Sequence, residues 1–283
     1  MSQFEDVLHN IVLGQAPDGF YYNRIFVVSA YNHVTNWLLE HKKTGDPGVY
    51  DLFIRNRDYK KALEGLLQKL LEINQGLKSI ELDLQVADAF IRERVDQCRN
   101  YLVSLEEVMA SGYVNKQNIL LAAREILASI GEAHSAFNSV NILKNHGVNA
   151  TFVDLCGFHD AEYLSIDERI HQAFLGMDYA STVPIATGYT KGTEGIMREF
   201  DRGYSEVTFS KIAVEVKASE AVIHKEYHLS SADPAIVGVE NSRPVGATNF
   251  NVADQLADIG MEAIHPKAVS YTHLRAHETE ADL

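Results

Sequence analysis

Cysteine is nearly absent. Only two occur among 283 residues. Cys98 and Cys156 lie far apart with no Cys-x-x-Cys or Cys/His ligand spacing around them, which excludes a disulfide framework and a structural zinc site and leaves two buried thiols. Long apolar runs are missing as well. No stretch approaches the roughly 18 residues of a membrane-crossing helix, and the N-terminus lacks the basic-then-apolar pattern of a secretory signal, so cytoplasmic residence is the default expectation. Positive charge is scarce: 25 Lys and Arg stand against 39 Asp and Glu, a net charge of −14, which opposes attraction to phosphate backbones and acidic lipid. Neither nucleic acid nor a membrane is therefore an expected partner. An acidic protein that handles anions must gather its few cations and backbone N–H donors in one place, which gives weight to any Lys or Arg inside a glycine-rich loop.

What is present is an ordinary globular chain, 46% apolar, long enough for one large α/β domain or two smaller ones. Phe4, Val7, Leu8, Ile11 and Val12 recur at helical spacing and predict a short helix over 3–13. The run Arg24-Ile-Phe-Val-Val-Ser29 predicts a buried strand, then a loop and a helix starting near Thr35 or Asn36. From Tyr59 to Ala110 two apolar stripes, one through Leu63, Leu66 and Leu70, the other through Ile91, Val95 and Leu102, predict two helices separated at Gly76. Further helices are expected from Lys116 to Ile130 and from Ala133 to Asn145, the latter stopped at His146-Gly147. Strands are expected at 150–155 and 183–187, a strand-like stretch at Ala221–Ile223, and helices from Gly203 to about Ala218 and over 252–264. There is no internal repeat. Strands alternating with helices argue for a mainly parallel sheet covered on both faces.

Five segments could carry chemistry. The first, Val27-Val-Ser-Ala-Tyr-Asn-His-Val-Thr-Asn36, joins a strand end to a helix start, where Ser29 and Thr35 offer hydroxyls to an anion, although taken alone Thr35 or Asn36 reads as an N-cap. The second is Gly131-Glu132 at a helix–helix junction. A carboxylate among small residues suits a substrate ammonium group, yet alone it reads as a solvated first-turn Glu, and His134 as a surface or packed imidazole. The third runs from Thr187-Gly-Tyr-Thr-Lys-Gly-Thr-Glu-Gly195 to Asp201-Arg-Gly-Tyr-Ser-Glu206. It is either a glycine loop that lets backbone approach a ligand, with Arg202 as a carboxylate fork, or a β-hairpin. The fourth and fifth, Ser230-Ser-Ala-Asp-Pro234 and Ile264-His-Pro-Lys267, read alone as a turn and a surface lysine.

In order, these segments resemble the motifs of the aspartate kinases: Val-Val-Ser-Ala followed by Thr-Asn, Gly-Glu, Gly-Arg-Gly-Gly-Ser-Asp, Thr-Ala-Asp-Pro-Arg and His-Pro-Lys. The likeness extends from about Phe4 to Ala268. It implies an α/β fold, a three-layer αβα sandwich of the amino-acid kinase (carbamate kinase-like) type, with a mainly parallel central sheet and here a helical insertion. It implies ATP and Mg2+ as cofactors, L-aspartate as substrate and a homodimer for the full-length protein. By position, Ser29 and Thr35 line the aspartate pocket, Glu132 holds the ammonium, Arg202 clamps the α-carboxylate, and Glu206 replaces the Asp that organises the catalytic lysine. His224, Lys225, Ser230, Asp233 and Lys267 stand at the nucleotide positions, although His224-Lys225 replaces the family's Thr-Asp, Ser230 its Tyr and Ala235 its Arg. The stretch from Ile223 to Pro234 and the helical insertion resemble the subgroup associated with ectoine synthesis.

The family's opening strand and Lys-[Phe/Ile]-Gly-Gly-Thr-Ser do not occur in the chain, nor do the regulatory ACT domains that follow His-Pro-Lys. Residues 1–268 are therefore expected to form a catalytic domain without its lysine loop and with little turnover of its own. Residues 269–283, with no apolar period from Tyr271 onward, read as a non-native tail. The aspartate β-carboxylate, with a reference pKa of about 3.9, is ionised at neutral pH, so the implied chemistry needs no general base but does need charge neutralisation. Two other readings stay open: a kinase of glutamate or acetylglutamate, and a non-enzymatic interaction module built on helices 59–110.

Overall fold

The computed structural model describes residues 2–14, 21–41, 44–200, 203–224, 231–232, 234–243, 249, 252 and 255. They belong to two compact units, Met1–Asp201 and Arg202–Leu283. The first contains α1 (Ser2–Val7, continuing as a π turn over Leu8–Val12), β1 (Phe26–Val28), α2 (Val34–Leu38), α3 (Val49–Ile54) and α4 (Tyr59–Leu77). It continues with α5 (Leu84–Ser111), α6 (Lys116–Asn145), β2 (Ala150–Val153), α7 (Ile166–Phe174), β3 (Val183–Thr187) and α8 (Ile196–Phe200). In the second unit α9 (Tyr204–Glu215) precedes the short α10 (Pro234–Val237). Ala221–Ile223, expected as strand-like, has no regular structure, and the helix expected over 252–264 lies almost wholly outside the described residues.

The sheet has the order β1-β3-β2 with both pairs parallel. β3 is central and buried along its whole length. Val28 pairs with Thr187 and Val153 with Ala186, so all three strands end at one edge. Parallel strands linked by helices deliver their following loops to that carboxyl edge, where open α/β sheets hold ligands. The helices and parallel sheet match the α/β class expected from the alternating pattern.

The long α6 organises this unit, touching α2, α3, α5, α8 and all three strands. The expected break at Gly131 is absent, and the reason is packing. A Cβ on Gly131 would lie 2.8 Å from Ala30 Cβ, 3.0 Å from Val34 Cγ1 and 3.3 Å from Leu38 Cδ1, so glycine lets α2 and the β1 loop close onto the helix. Every residue from Leu127 to Ala136 is buried, which removes the amphipathic period of a surface helix. The α4–α5 break also differs from expectation. Gly76 lies within α4, and the chain turns at 78–83, where Glu81 is left-handed (φ 71°) and the Asp83 side chain accepts the Gln85 and Val86 N–H groups. Asp83 ends the turn by capping α5, a stronger local signal than a mid-helix glycine.

Polar side chains tie α4, α5 and α6 together. Asn74 Oδ1 accepts from His134 Nε2 (2.6 Å) and from Asn138 Nδ2 (2.8 Å), while Asn74 Nδ2 donates to Asp88 Oδ1 (2.8 Å). Beneath them, Leu8, Leu77, Ala87, Val140, Leu143 and Ile185 belong to one apolar core, which fixes α6 against the sheet.

Candidate active site

The three loops at the carboxyl edge are joined at their roots. Gly188 N–H donates to Val28 O at 2.9 Å, Leu155 N–H to Thr187 Oγ1 at 3.1 Å, and Lys191 N–H to Leu155 O at 2.9 Å. After β1 the chain passes Ser29 to His33, which precedes α2 in the left-handed region (φ 67°). Thr35 and Asn36 thus lie inside the first turn of α2, so the N-cap expected of either is replaced by His33, and no side chain caps this helix.

Glu132 forms the floor beside this loop. It is 1% exposed, and its Oε1 accepts the Ser29 hydroxyl at 3.4 Å. Ser135 Oγ reaches the Ser29 carbonyl at 2.7 Å and the Glu132 carbonyl at 3.1 Å, anchoring the loop to the helix. Ser29 itself is exposed, so a hydroxyl stands at the rim over a buried carboxylate. The solvated first-turn Glu is excluded, because Glu132 sits mid-helix and is buried. Such a carboxylate favours a cationic group brought within hydrogen-bond reach. His134 is the packed imidazole of the alternatives above: burial pushes its pKa down to about 3, which keeps the ring neutral.

The segment after β3 is a loop leading into α8, not the hairpin held open as its alternative. Its one lysine is engaged elsewhere. Lys191 Nζ donates to the carbonyls of Gly157 (3.1 Å) and Asp160 (2.7 Å), and Arg169 Nε donates to the Lys191 carbonyl (2.7 Å). The cation singled out by its glycine-rich setting therefore braces the β2–α7 connection. Two glycines answer to steric need: a Cβ on Gly192 would fall 2.4 Å from Ile166 Cγ1, and Gly195 has φ +75°. Thr187 Oγ1 donates to Tyr189 O (2.8 Å), Tyr189 OH to Glu125 Oε2 (2.7 Å), and Met197 N–H to Glu125 Oε1 (2.8 Å). Burial raises the Glu125 pKa, opposed by the hydrogen bonds from Tyr189, Met197 and Arg198 and by the charge of Arg124.

The structure brings Ser29 and Glu132 together, with Thr35 on the helix whose Val34 and Leu38 pack on Gly131. In the second unit, Glu206 occupies the first turn of α9 behind a left-handed Gly203 (φ 83°), and His224 lies in an irregular stretch. Arg202, Lys225, Ser230, Asp233 and Lys267 lie outside the described residues. Sequence reading missed Ser135, Tyr189 and Glu125. One signal was available: Glu125 precedes Glu132 by seven residues, which places both on nearly the same face of a helix with 3.6 residues per turn.

The amino acid kinase family model matches residues 19–278. The aspartate kinase Ask_Ect of Stutzerimonas stutzeri (strain A1501) is 50% identical over 271 residues, covering 95% of this chain and 57% of that protein. Two solved structures of E. coli aspartokinase III are similar. The T-state complex with lysine and aspartate has a TM-score of 0.61 at 21% identity, over 94% of this chain and 56% of that one. The R-state complex with aspartate and ADP has a TM-score of 0.58 at 19% identity, over 90% and 53%. At those identities the structural likeness speaks to the fold. The chain spans about half the length of the curated relatives it matches. With a parallel sheet, loops gathered at its carboxyl edge and a family match across most of its length, the chain belongs to the amino acid kinase family.

Proposed function

We propose that this chain carries the substrate site of an ATP-dependent aspartate kinase, which transfers the γ-phosphoryl group of ATP to the side-chain carboxylate of L-aspartate, the first step of ectoine or aspartate-family amino acid synthesis. The observation that supports it is the buried Glu132 with the Ser29 hydroxyl beside it at the carboxyl edge of the sheet. The names of Ask_Ect and of aspartokinase III, the latter solved with aspartate and ADP, point the same way. In this reading Glu132 receives the substrate ammonium, Ser29 and Thr35 line the pocket, Arg202 grips the α-carboxylate, and Glu206 supplies the acid that organises the family's lysine. His224, Lys225, Ser230, Asp233 and Lys267 belong to the nucleotide side.

The nucleophile is a carboxylate oxygen. It attacks the γ-phosphorus, the bond from that phosphorus to the β-phosphate oxygen breaks, and ADP leaves. No proton moves, because the acceptor is already ionised. The chain's task is to position an anion beside a polyphosphate and offset their repulsion. Mg2+ supplies charge neutralisation when bound. Among the described residues there is no group of three or more His, Cys, Asp or Glu that could hold it.

Calorimetric titration of the chain with L-aspartate tests the reading. Wild type is expected to bind, Glu132→Gln to bind at least about tenfold more weakly through loss of a charge-assisted pair, and L-glutamate and N-acetylglutamate to compete poorly. Undiminished affinity in Glu132→Gln, or no binding by wild type, defeats it. A coupled ADP-release assay on the same proteins reports turnover.

A further inference from the structure

We propose that Glu125 is a positioning residue for substrate binding, a carboxylate that holds the loop after β3 at both ends. The proposal rests on the aspartate-site reading above, since it concerns the loop beside Ser29. Each oxygen of Glu125 has its own donor: Oε2 accepts from the Tyr189 hydroxyl at 2.7 Å, two residues beyond β3, and Oε1 accepts from the Met197 N–H at 2.8 Å, in the first turn of α8. One side chain thus spans the start and the end of a segment containing Gly192 and Gly195. The fit is close. A Cβ on Gly195 would lie 3.0 Å from Glu125 Oε1, so the glycine admits the carboxylate as well as the positive φ.

Further ties hold the middle of the loop. Lys191 N–H donates to Leu155 O (2.9 Å), Thr193 N–H donates to Leu164 O (2.9 Å), and the Lys191 ammonium binds the carbonyls of Gly157 and Asp160. The loop is therefore built in advance on β2, α7 and α6. Glu125 ties it to α6, the helix that carries Glu132. Two turns of α6 separate the two carboxylates, so a rigid element fixes the distance between the ammonium acid and the loop root at Gly188, which pairs with the β1 residue preceding Ser29. Met197 is also five positions ahead of Arg202 in the chain. Without the anchor the two ends of the loop lose their tie to α6, and restoring that order on substrate binding subtracts from affinity. Glycine makes the cost larger, because it loses the most conformational freedom on being fixed.

Hydrogen–deuterium exchange and aspartate calorimetry on the 283-residue chain test this together, using Glu125→Ala, Glu125→Gln and Tyr189→Phe. The alanine variant is expected to speed exchange selectively at 188–198, leave α5 and the sheet protected, and weaken aspartate binding about tenfold. The glutamine variant retains an acceptor for the Met197 N–H and is expected to recover most of both properties. Tyr189→Phe removes one of the two ties and is expected to fall between. A purely structural role would lower the melting temperature without changing affinity well below it, and that result overturns the proposal. So does unchanged exchange at 188–198 in Glu125→Ala. Failure of wild type to bind aspartate defeats the site reading and this inference with it, and is recognisable because it precedes any substitution at 125.

Discussion

At the scale of single residues, the site depends on where a side chain is missing. Gly131 and Gly65 both sit inside long helices, and intrinsic propensity treats them alike, favouring alanine by about 1 kcal/mol. Their surroundings separate them. A Cβ on Gly131 meets Ala30 at 2.8 Å, whereas one on Gly65 meets nothing within 4 Å. Overpacking a closed site costs about 1–3 kcal/mol, which offsets or exceeds the propensity gain at Gly131 and is absent at Gly65. Gly65→Ala is expected to stabilise the chain by about 0.5–1 kcal/mol. Gly131→Ala is expected to lower stability by up to about 2 kcal/mol and to weaken aspartate binding, because Ala30 adjoins Ser29. Urea melts and calorimetry check both, and equal stabilisation by the two substitutions would refute the packing account. The Gly131-Glu132 pair was legible in sequence as a point of interest. Its setting was not, because the atoms that exclude a Cβ come from a segment about a hundred positions earlier, and helical period carries no trace of them.

Elements were legible where local chemistry decided them. The β-branched runs gave β1, β2 and β3, and the apolar stripes gave α4 and α5, since each pattern reflects the face that is buried. Glycine is no stop at Gly76 or Gly131, both inside helices, and α7, outside the expected helices, begins at a reciprocal capping box of Ser165 and Glu168. What joins α4, α5 and α6 could not be read at all, because Asn74, Asp88, His134 and Asn138 are individually unremarkable polar residues on different stripes. Together they are a buried node. Asn74 is 0% exposed, and its Oδ1 accepts from His134 Nε2 and Asn138 Nδ2 at once. Replacing it by leucine keeps the volume but strands two buried donors, each costing about 1–3 kcal/mol. Asn74→Leu is therefore expected to destabilise the chain by about 3 kcal/mol, measured by denaturant unfolding. A loss within experimental error would mean that the node is solvated or readily repacked.

For the whole molecule, acidity and burial act on stability in opposite directions, and pH separates them. Burial depresses the His134 pKa from 6.5 to about 3, so below about pH 6.5 an unfolded chain takes up a proton that the folded one refuses. Stability is lost steadily as pH falls through that window. Asp160, whose pKa burial alone would raise but Arg169 and Lys191 bring below its ordinary value, adds a loss of the same sign at lower pH, below the normal carboxylate range. Glu125 acts the other way. Its raised pKa makes its contribution largest at low pH and smaller as pH rises above about 4.5. Between pH 6.5 and 5 the loss from the histidine is opposed by Glu125, whose raised pKa acts the other way, while Asp160 contributes only at lower pH. Burial is the cause of the His134 shift: Asn74 takes Nε2, the Tyr31 ring packs edge-on at 5.4 Å, and Asp88 lies one residue further along the node. His134→Gln retains a donor for Asn74 and cannot titrate. It is expected to melt at a lower temperature than wild type at pH 7, yet to lose less on going from pH 7 to pH 5, with melts recorded at constant ionic strength. Parallel slopes for the two proteins would show that the acid sensitivity arises elsewhere in the chain.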